Sequence, residues 1–204
     1  MAKAKIPKAR IPRPRGQGAK IPEGITDAHR ERIKEILGKL LKEIWQITRQ
    51  QEILVNCRLN FSGTTTPSPI FVGWMESQGL ETNRKKKRLG TPIGSTHPSP
   101  IYSECLDNPG AVRERDFSIP GVIGLEKSPG ALGYDVLLGL NFRRYICIKA
   151  GGRCTGTLTV GLCNKLGDNT DIRVREKLKE CAQDEKSELV KYLQETFQLG
   201  GPLL

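Results

Sequence analysis

The chain has 204 residues, with 33 Lys and Arg against 22 Asp and Glu, for a formal charge of +11. Residues 1–23 carry +6 of that charge and Arg84-Lys85-Lys86-Lys87-Arg88 carry +5, which leaves the other 176 residues neutral. That distribution disfavours a protein that is basic over its whole surface, and no run approaches the roughly 18 apolar residues of a membrane span. The N-terminus has basic residues without the apolar stretch of a secretion signal, so a soluble, cytoplasmic protein is expected. Length predicts one domain, residues 24–204, behind a tail at 1–23. Six cysteines (57, 105, 147, 154, 163 and 181) show no C-x-x-C pair, and all are expected as reduced thiols.

In the tail, Ile6-Pro7 and Ile11-Pro12 recur at five-residue spacing and Ile21-Pro22 echoes them. Proline removes a donor and drives its predecessor into extended conformation, so this arm is expected to be disordered or polyproline-like. Thr26 and Asp27 then offer an N-cap. Ile33, Ile36, Leu37, Leu40, Leu41, Ile44 and Ile47 follow at spacings of three and four, which predicts a long amphipathic helix over residues 27–55. Its stripe has two readings: it lies across its own sheet, or part of it packs on a second subunit.

Residues 57–61 and 69–75 are β-favouring runs separated by a Ser/Thr/Gly/Pro loop, and predict two strands. From 77 to 133 the pattern weakens among many Pro and Gly. A short strand and one or two helical turns are expected within it, because a structureless connection of that length is uncommon in a compact domain. Arg143 to Lys149 and Arg153 to Leu162 flank Gly151-Gly152 and predict an antiparallel hairpin. Alternation puts Cys154, Gly156, Leu158, Val160 and Leu162 on one face and Thr155, Thr157 and Thr159 on the other. A turn centred on Ala150-Gly151 would oppose Cys147 to Cys154, whereas one centred on Gly151-Gly152 would oppose Cys147 to Gly156. Val174, Leu178, Cys181, Ala182, Leu189, Leu193 and Phe197 stripe a last helix over 171–198, stopped by Gly200-Gly201-Pro202.

The order long helix, two strands, variable middle, two strands, long helix, together with the run Leu140 to Leu162, resembles the GAF family of small-ligand sensory domains. Ala150-Gly151-Gly152-Arg153 corresponds to the family's glycine turn and Gly156-Thr157-Leu158-Thr159-Val160 to the strand after it; the match is clearest over 134–199. The resemblance implies an α+β fold, a central antiparallel sheet with the long N- and C-terminal helices packed on one face and the variable region on the other. It also implies a small-molecule ligand bordered by Thr155, Thr157, Thr159 and Cys105. Asn164-Lys165 stands where cyclic-nucleotide-binding members carry Asn-Lys, but their following Phe and Asp-Glu residues are missing, so nucleotide binding is not carried over.

Chemistry is sparse. His29, on the first turn of a helix, reads as a surface residue, and His97 sits in a loop. No nucleophile elbow, phosphate loop, dinucleotide fingerprint or paired metal-ligand spacing is present, so neither a catalytic residue nor a metal or cofactor is implied. The leading expectation is a non-enzymatic sensory or regulatory domain that acts on a partner, or on a second copy, through residues 27–55 and 171–198. One alternative is a nucleic-acid or polyanion adaptor using Lys3, Lys5, Lys8, Arg10, Arg13, Arg15, Arg84, Lys85, Lys86, Lys87 and Arg88. These segments hold no aromatic residue for base stacking. A second alternative is thiol redox chemistry, since some family members that reduce oxidised methionine use loop and strand cysteines.

Overall fold

A capping box opens helix α1 (Asp27–Thr48). The Thr26 hydroxyl accepts from the His29 N–H, and His29 Nδ1 accepts from the Thr26 N–H at 3.2 Å. His29 thus does more than coat the surface, since its ring also meets Phe197 edge to face. Residues 20–62, 69–79, 93–96, 100–116, 140 and 142–197 are described in this computed structural model. After α1 come strands β1 (Ile53–Phe61), β2 (Ile70–Gln78) and β3 (Ile93–Ser95), helix α2 (Pro100–Asp107), strands β4 (Arg113–Asp116), β5 (Phe142–Ala150) and β6 (Arg153–Leu162), and helices α3 (Asp168–Gln183) and α4 (Glu188–Phe197). None of the described helices is long and apolar enough to cross a membrane.

The six strands form one antiparallel sheet in the order β3-β2-β1-β6-β5-β4, and α1, α3 and α4 cover one face of it. The other face receives α2, so the α+β arrangement implied by the resemblance is the one observed. The helix-side core gathers Ile33, Leu37 and Ile44 of α1, Val55, Cys57 and Leu59 of β1, Trp74 of β2, Leu158 and Val160 of β6, and Leu178 and Leu189 of the last two helices. Each large side chain so buried contributes about 1.5–3 kcal/mol, which makes this layer the main source of stability. Ile21 and Ile25, ahead of α1, pack on it as well. The stripe of α1 is therefore used inside the chain. Lys39 and Arg32 pair with Glu188, and Lys177 with Glu43, across the helix layer.

The long helices are shorter than expected. α1 stops at Thr48, because Arg49 turns into the left-handed region (φ 54°) with its N–H on the Trp45 carbonyl. Ile53, Leu54 and Val55, which extended the apolar pattern to residue 55, are instead consecutive strand residues buried on both sheet faces. The C-terminal helix divides at Asp184–Ser187. There the Ser187 hydroxyl accepts from the Val190 N–H and donates to the Cys181 carbonyl, starting a new helix in the manner of an N-cap. Within the described residues of the weak middle lie two short strands and a helix of eight residues.

The hairpin turn is Gly151-Gly152, both at positive φ (57° and 77°), as a type I′ turn needs. A bulge then shifts the register: Ile148 faces Gly156 and Lys149 faces Cys154, which leaves Thr155 unpaired, its hydroxyl donating to the Ile148 carbonyl. Cys147 consequently faces Thr157, a register that neither expected turn produces, and Cys154 moves off the Leu158 face onto the Cys147 side. These two cysteines are joined as a disulfide, Cα atoms 5.6 Å apart, which corrects the expectation that every thiol is reduced. Neighbouring strands with staggered cysteines on one face meet the geometry a bridge requires.

Two features fix the sheet against its surroundings. At Gly156 a Cβ would lie 2.2 Å from the Arg58 carbonyl oxygen, so the central β1–β6 pairing admits no side chain there. Toward the β4 edge, buried Arg144 of β5 meets Asp171 of α3 at 2.5 Å. Arg175 reaches the same carboxylate and also bonds Glu114 and the Val112 carbonyl. Burial acts to raise the Asp171 pKa, but hydrogen bonds from Arg175 and Arg144 outweigh it, and the net shift is downward from the ordinary 3.8.

Gly156→Ala is expected to lower stability by about 2–3 kcal/mol, measured by urea unfolding. Asp171→Asn is expected to cost about 3 kcal/mol, because Arg144 stays buried with its charge poorly compensated. Since the folded pKa of Asp171 lies below the unfolded one, its contribution is complete above pH 3.8 and is lost as pH falls through the folded value. An acid titration followed by circular dichroism should therefore be flatter below pH 3.8 in Asp171→Asn than in the natural sequence.

Candidate ligand-binding face

Antiparallel register lines up the second face in rows across the four inner strands. One row runs Met75–Asn56–Thr159–Tyr145, and the next runs Gly73–Arg58–Thr157–Cys147. Below them, Asn60 of β1 stands opposite Phe71 of β2. The centre of this face is thus polar, where the reverse side of the two central strands at the same rows is apolar, with Val55 and Cys57 of β1 against Val160 and Leu158 of β6. Thr157 and Thr159 are buried, and Asn56, Arg58 and Asn60 half-buried. Leu54, Met75 and Leu140 close one end of the face with an apolar patch.

Helix α2 sits over the other end. The Tyr102 ring meets Phe71 edge to face, its hydroxyl accepts from Asn60 Nδ2 at 3.0 Å and donates to the Cys154 carbonyl at 3.3 Å. Ile101 and Cys105 of the same helix pack on Tyr145 and Cys147, and the Tyr145 hydroxyl donates to Glu104, which also pairs with Arg115 of β4. Two aromatic hydroxyls therefore seat one short helix on the sheet.

Within this frame Arg58 lies with its guanidinium 5.1 Å from the Phe71 ring, and burial lowers its pKa. Asn56 Oδ1 is buried without a hydrogen-bond partner. A buried carbonyl oxygen left unpaired costs about 1–3 kcal/mol, so a bound donor at this place would recover a real penalty. Donor and acceptor side chains share adjacent rows of this face, next to the apolar patch of Leu54, Met75 and Leu140.

Of the residues predicted for a ligand, Thr157 and Thr159 lie in the polar rows, and Cys105 packs at their edge under α2. Thr155 instead is spent on the bulge. Lys3 to Arg15, Arg84 to Arg88 and His97 lie outside the described residues. Asn56, Arg58 and Asn60 were not predicted, although their alternation with Cys57, Leu59 and Phe61 is a period-two signal in the sequence. Among the described residues, no group of three or more His, Cys, Asp or Glu is placed to hold a metal ion.

A separate cavity of about 530 Å³ opens where the α1–β1 and β6–α3 connections meet, lined by residues 48–52, 163–167 and Thr170. It lies away from the polar rows. In its wall the buried Gln50 amide donates to the Asn164 carbonyl at 2.7 Å and accepts from the Cys163 and Asn164 N–H groups at 3.1 Å. Asn164-Lys165 belongs to this cavity and not to the face that carries Thr157 and Thr159.

No protein-family description matches the chain, and no curated protein does. Among solved structures the chain is similar to the GAF domain of a two-component sensor histidine kinase from Bacillus halodurans, at 12% identity and TM-score 0.47, over 80% of this chain and 96% of that one. It is similar to the GAF domain/HD domain protein from Geobacter sulfurreducens, at 14% identity and TM-score 0.47, over 79% and 94%. It is also similar to the blue-light-absorbing form of the PixJ GAF domain of Thermosynechococcus elongatus, at 10% identity and TM-score 0.46, over 83% and 89%. These are structures of the family whose order of elements the sequence resembles.

If Tyr102 seats α2 through its hydroxyl, Tyr102→Phe should cost about 1–2 kcal/mol, the loss of one donated and one accepted bond. Hydrogen exchange should show faster exchange of the α2 amides with little change in α3.

Proposed function

We propose that this chain is a non-enzymatic, GAF-like sensory or regulatory domain that binds a small polar molecule on the second face of its sheet. The observation that supports the reading best is Asn56 Oδ1, buried and unpaired, in a row with Thr159 and Tyr145 and beside the row of Arg58 and Thr157. A stability-driven face at the centre of a sheet would be apolar, because every buried polar group must find a partner or bear its desolvation cost. The ligand that suits these rows offers a donor to Asn56 and an acceptor near Arg58 and the threonine hydroxyls. Binding would stabilise the seat of α2, and the response would leave through the helix layer on the opposite side of the sheet.

Transmission to a partner or a second copy would use the outer, polar faces of α1, α3 and α4. The apolar stripe of α1 is occupied within the chain. The polyanion reading of the tail and of residues 84–88 rests on charge alone. It would be tested by the steep fall of nucleic-acid affinity with salt and its loss on removing the tail.

A thermal-shift panel of polar metabolites and nucleotides tests the ligand reading. A genuine ligand at a hundred times its Kd contributes about 2.7 kcal/mol and raises Tm by several degrees. Asn56→Ala should weaken that ligand about tenfold, the value of one hydrogen bond in a buried site. A panel that stabilises nothing, or a hit unaffected by both Asn56→Ala and Thr159→Val, would refute the face as the binding site.

A further inference from the structure

Three of the six cysteines meet in one place. Cys105 of α2 and Cys147 of β5 are fully buried in a cluster with Ile101 and Tyr145, and half-buried Cys154 of β6 packs against that cluster. Cys147 and Cys154 are bridged, and Cys105 is free. The remaining thiols lie elsewhere: Cys57 and Cys181 between sheet and helices, and Cys163 beside Gln50. Chain separation makes the meeting informative. Cys147 and Cys154 are neighbours in a hairpin, but Cys105 is brought to them by α2, an element from the variable middle.

We infer that Cys105, Cys147 and Cys154 form a thiol–disulfide exchange site in which the bridge moves between the hairpin and α2. In the exchange, the Cys105 thiolate attacks Cys147 Sγ and forms the Cys105–Cys147 bond. The electron pair of the old bridge leaves on Cys154 Sγ. The proton lost by Cys105 to solvent is matched by the one taken up at Cys154, so no external oxidant or reductant is consumed. Cys154, the most exposed of the three, is released, and α2 becomes covalently tethered to the sheet. The site has two oxidised forms, one with α2 held only by noncovalent contacts and one with it locked down. Cys154, once released, is the thiol on which a low-molecular-weight disulfide would enter by exchange.

The surroundings set the rate. Burial pushes the Cys105 thiol up to about 11, with Arg113 of β4 opposing that shift, and Tyr145 of β5, Glu104 of α2 and Arg115 of β4 standing nearby. Thiolate is therefore scarce at neutral pH and exchange quickens as pH rises, since the thiolate is the attacking species. This inference does not depend on the ligand reading.

The test uses the full chain, oxidised, incubated at pH 7 and pH 9 with iodoacetamide as trap, and mapped by non-reducing peptide mass spectrometry. Label is expected to accumulate on Cys154 together with a Cys105–Cys147 cross-linked peptide, faster at pH 9. In Cys105→Ser both should be lost, with the Cys147–Cys154 bridge retained. In Cys154→Ser, exposure to oxidised glutathione should yield the Cys105–Cys147 bridge. Circular dichroism checks that each variant is folded, and the natural sequence alone supplies the decisive cross-link if one is not. The proposal is overturned if no Cys105–Cys147 peptide forms in the natural sequence at either pH. Equal labelling of Cys154 with and without Cys105 would also overturn it.

Discussion

The pairing of β1 with β6 joins residues about a hundred positions apart, and it admits no slack, because Gly156 lies against the backbone of Arg58 and Leu59. With that register set, Cys57 faces Leu158 and Val55 faces Val160 toward the helices, while Asn56 faces Thr159 and Arg58 faces Thr157 on the other side. A slip by one residue would turn the apolar set toward α2 and the polar set into the helix layer. The core and the candidate site are in this sense one decision, taken at the centre of the sheet.

From that pairing outward, the two faces are secured by different physics. The helix side relies on apolar area, with Leu37, Ile44, Trp74 and Leu178 excluding water, and with ion pairs at its rim and around Arg144, Asp171 and Arg175. The α2 side relies on few, directional contacts: Tyr102 to Asn60 and the Cys154 carbonyl, and Tyr145 to Glu104. Directional contacts are lost or gained singly, whereas an apolar layer opens only as a whole. That difference leaves the α2 side able to change one contact at a time, while the helix side holds as a unit.

Much of the architecture was legible because it is local. The 3.6-residue stripe of α1, the existence of a glycine-turned hairpin and the alternation of Thr157 and Thr159 with Leu158 and Val160 each follow from near neighbours in sequence, whereas the centre of that turn, Ala150-Gly151 or Gly151-Gly152, did not. Helix ends were read less well, since Ile53, Leu54 and Val55 continue a helical pattern and yet belong to a strand buried on both faces. The break at Ser187 was carried by a single hydroxyl within an otherwise helical stretch. Gln50 had no signal at all, because its role is to satisfy backbone groups of residues 163 and 164, more than a hundred positions away. In the candidate site the threonines were found through the hairpin, while Asn56, Arg58 and Asn60 lay unread in an alternation that only their pairing with β6 makes meaningful.

The bulge at Thr155 does something beyond bending a strand. Without it, Cys154 would share the side of Leu158 and Val160, on the far side of the sheet from Cys105, and the three cysteines could not share one cluster. Their encounter is a matter of parity: one unpaired residue in β6 exchanges inside for outside over Arg153 and Cys154, the two residues between the turn and the bulge. Insertions and deletions in hairpins are commonly judged by the length they add. Here one residue decides which chemistry the end of a strand takes part in, and leaves the remainder of the ladder, from Gly156 to Leu162, undisturbed.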